Sequence, residues 1–307
     1  MTELIASFIS RSIAASTPLL LGTLGEILAE RAGVMNLGVE GMMAFGAVTG
    51  FAVALHTQSA WLGLLAAILA GALLAVVHAT LTVKLRANQV VSGLALTTLG
   101  LGLSGLIGRK LIGKPLQAKF SALDIPLLGD LPLFGKALFA HDILVYGTLF
   151  ATVLLWVFLS RTTYGLAVRS AGENPHAAET MSIDVVKLRM VFVVIGGAFA
   201  GAAGGYLSLA YIPAWIEGMT AGRGWIVVAL TMFSLWDPIR ALAGSLLFGG
   251  LFVGQYFLQP YGISPNLLMM LPYLATLAAL VQGATASKTR GRSAPAALGI
   301  PYERGER

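Results

Sequence analysis

Chemistry in this chain of 307 residues would have to come from a small set of polar side chains. The run Gly108-Arg109-Lys110-Leu111-Ile112-Gly113-Lys114 has the G-x-x-x-x-G-K spacing of a phosphate-cradling loop. Pro115, however, stands where a Ser or Thr must reach magnesium. No other stretch offers a phosphate cradle, so ATP chemistry, if coupled to this chain, must come from another polypeptide. The absence of cysteine excludes disulfides, thiolate catalysis and cysteine-held metals. His56, His78, His141 and His176 are scattered without ligand spacing. No H-E-x-x-H occurs, and no serine, lysine or paired-carboxylate arrangement suggests catalysis. No cofactor, metal or enzymatic activity is expected.

Two polar groups remain inside apolar surroundings. Asn36 and Glu40 lie four residues apart on one helical face, in a segment interrupted by Gly33, Gly38 and Gly41. An ionisable group within a membrane span is costly unless it faces a cavity, a partner or the interface, and glycines there favour a broken helix whose free backbone groups line a pathway. The alternative is that both residues sit at the membrane interface, with Glu40 pairing with Arg31. Asn88, Gln89 and Ser92, followed by Thr97 and Thr98, form an uncharged hydrogen-bonding strip at the start of another apolar segment. Such a strip suits a neutral, hydroxyl-rich solute, or else serves as polar glue between helices.

The elements that must position these groups are membrane helices. With 57% hydrophobic and 11% charged residues, the chain falls far below the roughly 25% charge of soluble domains. The fold class is therefore all-α, a polytopic membrane protein. Apolar runs long enough to span fall at 11–29, 36–56, 62–83, 89–108, 142–160, 188–211, 223–236, 239–258 and 265–283. They predict nine transmembrane helices, or ten if a further piece lies near the start or in 112–140, with one broken helix. Small residues at four-residue spacing, Gly46/Gly50, Gly197/Gly201/Gly205 and Gly250/Gly254, read as packing devices. Residues 113–141 read as an external loop with an interfacial turn or two. A transmembrane domain is expected over 1–285, with a mobile cytoplasmic tail over 286–307. The first residues lack the charged region and cleavage site of a removable signal.

The longest polar segment, Arg161–Arg189, carries Arg161, Arg169, Lys187 and Arg189 beside two spans and reads as cytoplasmic. Alternating outward from it puts roughly 13 of the 20 Lys and Arg inside and 7 outside, with the N-terminus outside. This explains the +6 net charge by membrane orientation; no nucleic acid partner is expected. Asn174-Pro175 is a helix-start signal for a short helix through His176–Met181. An ordinary solvated loop is the alternative to a docking element.

Three stretches carry a resemblance. Tyr164-Gly165-Leu166 through Arg169, with Ala171-Gly172-Glu173-Asn174 and Ala177-Ala178, resembles the coupling loop of permease subunits in ATP-binding-cassette importers of ribose-type sugars, branched-chain amino acids and nucleosides. Ala32 to Met42 is similar to that family's N-terminal signature, nearest the nucleoside and simple-sugar branch. Gly222-Arg223-Gly224-Trp225, Trp236-Asp237-Pro238 and Gly244 to Gly250 resemble its C-terminal half, with Ser234 where a glycine is expected.

The resemblance implies a permease subunit of an ATP-dependent importer in the plasma (inner) membrane of a prokaryote. An ATP-binding cassette subunit would grip Gly172, Glu173, Asn174, Pro175, Ala177 and Ala178 on the cytoplasmic face. A second copy or homologous permease would complete the pathway, membrane lipid would surround it, and an external solute-binding protein would deliver the solute, a nucleoside or simple sugar. The rival reading is an ion-coupled secondary transporter of a small polar solute, which needs a buried carboxylate relay for which Glu40 is the main candidate.

Overall fold

The computed structural model describes residues 2–123, 134–264, 267–268, 270–278, 281 and 294–303. Among these residues the chain is helical, without strands. The elements are α1 (Thr2–Arg31), α2 (Val39–Thr57), α3 (Ala60–Ala79, continued by a π-helical turn Thr80–Lys84) and α4 (Gln89–Gly108). The short α5 (Phe134–Leu138) is followed by α6 (Ile143–Arg161), α7 (Thr163–Glu173), α8 (Pro175–Thr180) and α9 (Val185–Tyr206, continued by a π-helical turn Leu207–Tyr211). The described order ends with α10 (Arg223–Phe233) and α11 (Pro238–Leu258). Among the described residues seven helices, α1, α2, α3, α4, α6, α9 and α11, are long and apolar enough to cross a membrane.

Local chemistry sets the helix starts. The side chains of Asn88, Asp142, Thr162, Asn174, Asp184 and Asp237 each accept a backbone N–H from the first turn of α4, α6, α7, α8, α9 and α11. Pro175 and Pro238 occupy first-turn positions where no N–H partner is lost.

The bundle is built around α2, which packs on α3, α4, α9 and α10, while α1 packs on α9, α10 and α11. Backbones meet where both helices lack side chains. A Cβ on Gly46 would lie 2.6 Å from the Gly201 carbonyl oxygen, and one on Gly71 would strike Gly197 and Gly201. The Gly46 and Gly197/Gly201 packing expected from sequence is thus present. The Gly250/Gly254 pair is not a close approach: the nearest atoms to an added Cβ are 3.9 Å away. The neighbouring Gly249 is the one pressed against Ser12 and Ser16.

Other expectations are corrected. The stretch 223–236 is not a full span, because α10 has 11 residues, about 16 Å at about 1.5 Å per residue. The first helix runs over Thr2–Arg31 and so exceeds 11–29. Of 265–283, the described residues 267–268, 270–278 and 281 are helical; the others lie outside the described residues, as do 124–133 of the loop expected over 113–141. The tail expected to be mobile has residues 294–303 packed against α7 and α8 through buried Ala297 and Tyr302. Its remainder, 286–293 and 304–307, lies outside the described residues.

Candidate functional site

Between α1 and α2 the chain leaves the helix for residues 32–38, turning at Gly33 (φ 93°). Irregular backbone buried in an apolar layer must find internal partners, and side chains from three helices supply them. The Glu26 carboxyl accepts the Asn36 N–H at 2.9 Å, and Gln89 Oε1 accepts the Met35 N–H at 2.7 Å. Asn36 Oδ1 accepts the Gly38 N–H at 2.9 Å, and the Thr97 hydroxyl donates to the Leu37 carbonyl at 2.8 Å. His78 joins the set through Nε2, 3.0 Å from the Met35 carbonyl, and Nδ1, 2.9 Å from the Ser92 hydroxyl. Since a carbonyl only accepts, Nε2 carries the proton and Ser92 donates to Nδ1.

Just past the break, in the first turn of α2, the Glu40 carboxyl is the tie to α10. Oε1 accepts the Thr220 hydroxyl at 2.6 Å and the Gly222 N–H at 2.9 Å; Oε2 accepts the Gly224 N–H at 2.6 Å. A carboxyl at a helix N-terminus meets orphan donors and the positive end of the dipole. The two glycines have separate reasons. Gly222 adopts a left-handed φ of 76°, and a Cβ on Gly224 would overlap the Glu40 backbone. Arg223 between them donates from Nη1 to the Met219 and Thr220 carbonyls at 2.9 and 3.2 Å and lies 5.0 Å from the Phe252 ring centroid.

The other end of α10 is held by the residues on the far side of the break. Leu235 and Trp236 both have positive φ, 54° and 55°. Arg31 donates to both their carbonyls at 3.4 Å, and Trp236 Nε1 donates to the Glu30 carboxyl. Glu30 and Glu40 therefore bracket the half-helix.

The expected site residues divide accordingly. Asn36, Glu40, Gln89 and Ser92 come together around the break, buried and bonded within the chain. Asn88 caps α4, accepting the Val91 N–H at 3.1 Å. Glu40 bonds to the start of α10, so its alternative partnership with Arg31 is replaced. At the α7–α8 end, Glu173, Asn174 and Ala177 are exposed while Gly172, Pro175 and Ala178 are buried. Gly172 is a helical residue of α7, and a Cβ there would strike the Arg31 carbonyl. The two groups of residues therefore meet at Arg31–Gly33.

Sequence reasoning missed Thr220, Glu30 and Arg189. Glu26 and Glu30, four apart in an apolar helix, carried a signal like that of Asn36 and Glu40. Arg189 counted only as a loop charge, yet it is buried, and its guanidinium donates to the carbonyls of Ala32 at 3.0 Å, Ala171 at 3.3 Å and Ile300 at 3.2 Å.

A bundle of long apolar helices with a partnered break, a buried half-helix and a helical pair at one end is the architecture of a polytopic membrane protein. The profile of the branched-chain amino acid transport system / permease component family matches residues 8–280, and the chain belongs to that family. It is similar to a Haloferax volcanii protein named as a candidate permease of a glucose ABC transporter, with 40% identity over 97% of this chain and 98% of that one. A guanosine ABC transporter permease of Bacillus subtilis is 36% identical over 100% of this chain and 99% of the relative. A nucleoside ABC transporter permease of Lactococcus lactis is 33% identical over 86% and 88%. No solved structure matches. The chain is thus an ABC transporter permease subunit, a multi-pass plasma membrane protein that works with ATP-binding and substrate-binding partners.

Proposed function

We propose that this permease imports a small neutral solute, a nucleoside or simple sugar, and that α7–α8 is the element an ATP-binding subunit grips from the cytoplasm. The observation carrying this reading is the continuous path from α7–α8 through Arg31–Gly33 to the 32–38 break and on to both ends of α10. Closure of the ATP-binding subunits would push Gly172 to Ala178, and the break and half-helix would shift with them. Bistable packed elements of this kind are what couple distant sites. Asn36, Glu40, Gln89 and Ser92 frame the pathway around the break, with Asn88 capping the adjoining α4, and a second permease, a copy or a homologue, completes it. An external solute-binding protein docks at the opposite end.

Nine crossings fit this reading: the seven long helices, residues 212–222 together with α10 as one, and the helical residues of 267–278 as the last. The contact of 294–303 with α7–α8 supports the parity, since four crossings then separate two segments on one side. The α7–α8 end is cytoplasmic and the N-terminus lies opposite. The solute class is supported by the names of the relatives.

The test is uptake by the reconstituted transporter, with nucleosides, sugars and branched-chain amino acids as competitors. Competition by a nucleoside or sugar is expected. Uptake confined to branched-chain amino acids would refute the solute assignment.

A further inference from the structure

The segment 294–303 lies in a stretch that reads as a plain basic tail, yet several of its contacts tie it to the α7–α8 end. The Ala297 N–H donates to the Gly172 carbonyl at 2.8 Å and the Ala296 N–H to the Glu173 carboxyl at 3.2 Å, both on α7. The Tyr302 hydroxyl donates to Glu179 at 2.5 Å, and its ring lies 5.3 Å from the ring of His176, both on α8. The neighbouring Glu303 pairs at 2.5 Å with Arg86, in the link between α3 and α4. Tyr302 is buried in one cluster with Ala171, Ala178 and Val185, and Ala297 is buried as well.

Arg189 explains why this contact is more than a surface association. A buried guanidinium is costly unless its donors are filled. Here they are filled by one carbonyl from the break, Ala32, one from α7, Ala171, and one from the C-terminal segment, Ile300. The Tyr302 ring, 5.8 Å from the guanidinium carbon, lies over it. Removing the segment would leave Nη1 without its acceptor and strip the cover from the charge. The three segments are therefore bound together through one side chain.

We infer that residues 294–303 are a clasp that makes α7, α8 and the 32–38 break move as one body, so that a push on α7–α8 reaches the pathway instead of being lost in a local shift. Arg189 and Tyr302 are positioning residues in this device. The clasp stays closed through the transport cycle and forms part of the surface presented to the ATP-binding subunit. This rests on the reading of α7–α8 as the gripped element.

The test uses the full transporter, with its ATP-binding and solute-binding subunits, in proteoliposomes, and reads solute taken up per ATP hydrolysed. A chain ending at residue 293 should hydrolyse ATP but lose at least tenfold in that ratio, and Tyr302→Ala should lose several-fold. If the truncated chain fails to assemble, Tyr302→Ala and a cross-link carry the test. Because the chain has no cysteine, Arg86→Cys with Glu303→Cys can be bridged by a short, cleavable thiol-specific linker. A closed clasp predicts that the bridged protein keeps the uptake of the unbridged double variant. Loss of uptake on bridging, restored by cleavage, would overturn the inference, because the segment would then have to leave. An unchanged ratio in the truncation or in Tyr302→Ala would also overturn it. Glu173→Ala with Asn174→Ala separates the causes: if that pair uncouples while the tail variants are silent, the clasp alone fails, and if it too is silent, the α7–α8 reading fails and takes the clasp with it.

Discussion

Replacing Glu40 by Ala should release the start of α10. The carboxyl accepts three hydrogen bonds, from Thr220 at 2.6 Å, Gly222 at 2.9 Å and Gly224 at 2.6 Å, and Thr220 and Gly224 are buried. Hydrogen bonds to charged groups contribute about 1.5–3 kcal/mol each, and an orphaned buried donor carries its own penalty. Three bonds sharing one acceptor are not additive, so about 4 kcal/mol is a working lower value. At about 1.4 kcal/mol per tenfold, that is about a thousandfold in the equilibrium between docked and released α10. Glu40→Gln keeps one oxygen acceptor and turns the other into a donor facing a donor; it should cost about half as much.

The assay is amide hydrogen exchange at residues 222–226 in detergent or nanodiscs, together with thermal melting. Exchange should accelerate in the order wild type, Glu40→Gln, Glu40→Ala. Glu40→Asp should resemble Ala, because the shorter side chain cannot reach both Gly222 and Gly224. Unchanged exchange in Glu40→Ala would refute the assignment of this carboxyl as the tether of the half-helix. If Gln melted like wild type but abolished uptake, Glu40 would act on a proton or solute instead.

Four further outcomes are expected. Glu173→Ala with Asn174→Ala should insert normally but uncouple ATP hydrolysis from uptake in reconstituted vesicles; unchanged coupling removes the exposed part of α7–α8 from the mechanism. The purified chain should show no magnesium-dependent ATP binding, since Pro115 occupies the Ser/Thr position of its one G-x-x-x-x-G-K run, and saturable binding by calorimetry would contradict this. Asn88→Leu removes the α4 cap and should cost about 1 kcal/mol in melting while lowering uptake, whereas Asn88→Ser should restore both; loss in both variants alike would exclude the cap as the cause. Burial, the leading influence, raises the Asp142 carboxyl above the ordinary range despite the Leu144 and Val145 N–H groups, so the folded protein holds this proton more tightly than the unfolded chain. Its contribution to stability is fullest below about pH 4 and declines as pH rises toward the raised value; Asp142→Asn should abolish that decline in melting temperature, and an unaltered slope would refute it.

The parts legible in the sequence were those fixed by local chemistry. Apolar runs gave the long helices, and Asn174-Pro175 gave the start of α8. Gly46, Gly197 and Gly201 announced close packing because nothing else serves that purpose in lipid. Asn36 and Glu40 were legible as costly groups needing partners, but not the partners themselves: Glu26 and Gly38 for one, Thr220, Gly222 and Gly224 for the other. Those lie as far as 184 residues away along the chain, and no periodicity records such a distance. Asn88, Gln89 and Ser92 showed a polar strip without showing that Gln89 and Ser92 serve the break while Asn88 serves its own helix.

Helix α10 shows why the remaining structure was hidden. From Gly224 through Phe233 the residues are apolar apart from Thr231, and nothing local forbids the helix from continuing through Ser234, Leu235 and Trp236. It stops because two non-glycine residues take left-handed backbone, a conformation that persists where surroundings enforce it. Here the Arg31 guanidinium meets both their carbonyls and the Glu30 carboxyl receives the Trp236 indole. It starts where Glu40 collects its first donors. Both ends of this half-helix are thus written in residues 30–40, the interval that contains the break and against which α7 packs at Arg31. A displacement of α7 relative to Arg31 changes the positions of Glu30 and Glu40 together only if the break behaves as one piece. The bonds from Glu26, Gln89, Thr97 and His78 to its backbone make it one. The polar groups inside this membrane protein therefore join its least regular backbone into a rigid connection between the α7–α8 end and the half-helix at the centre.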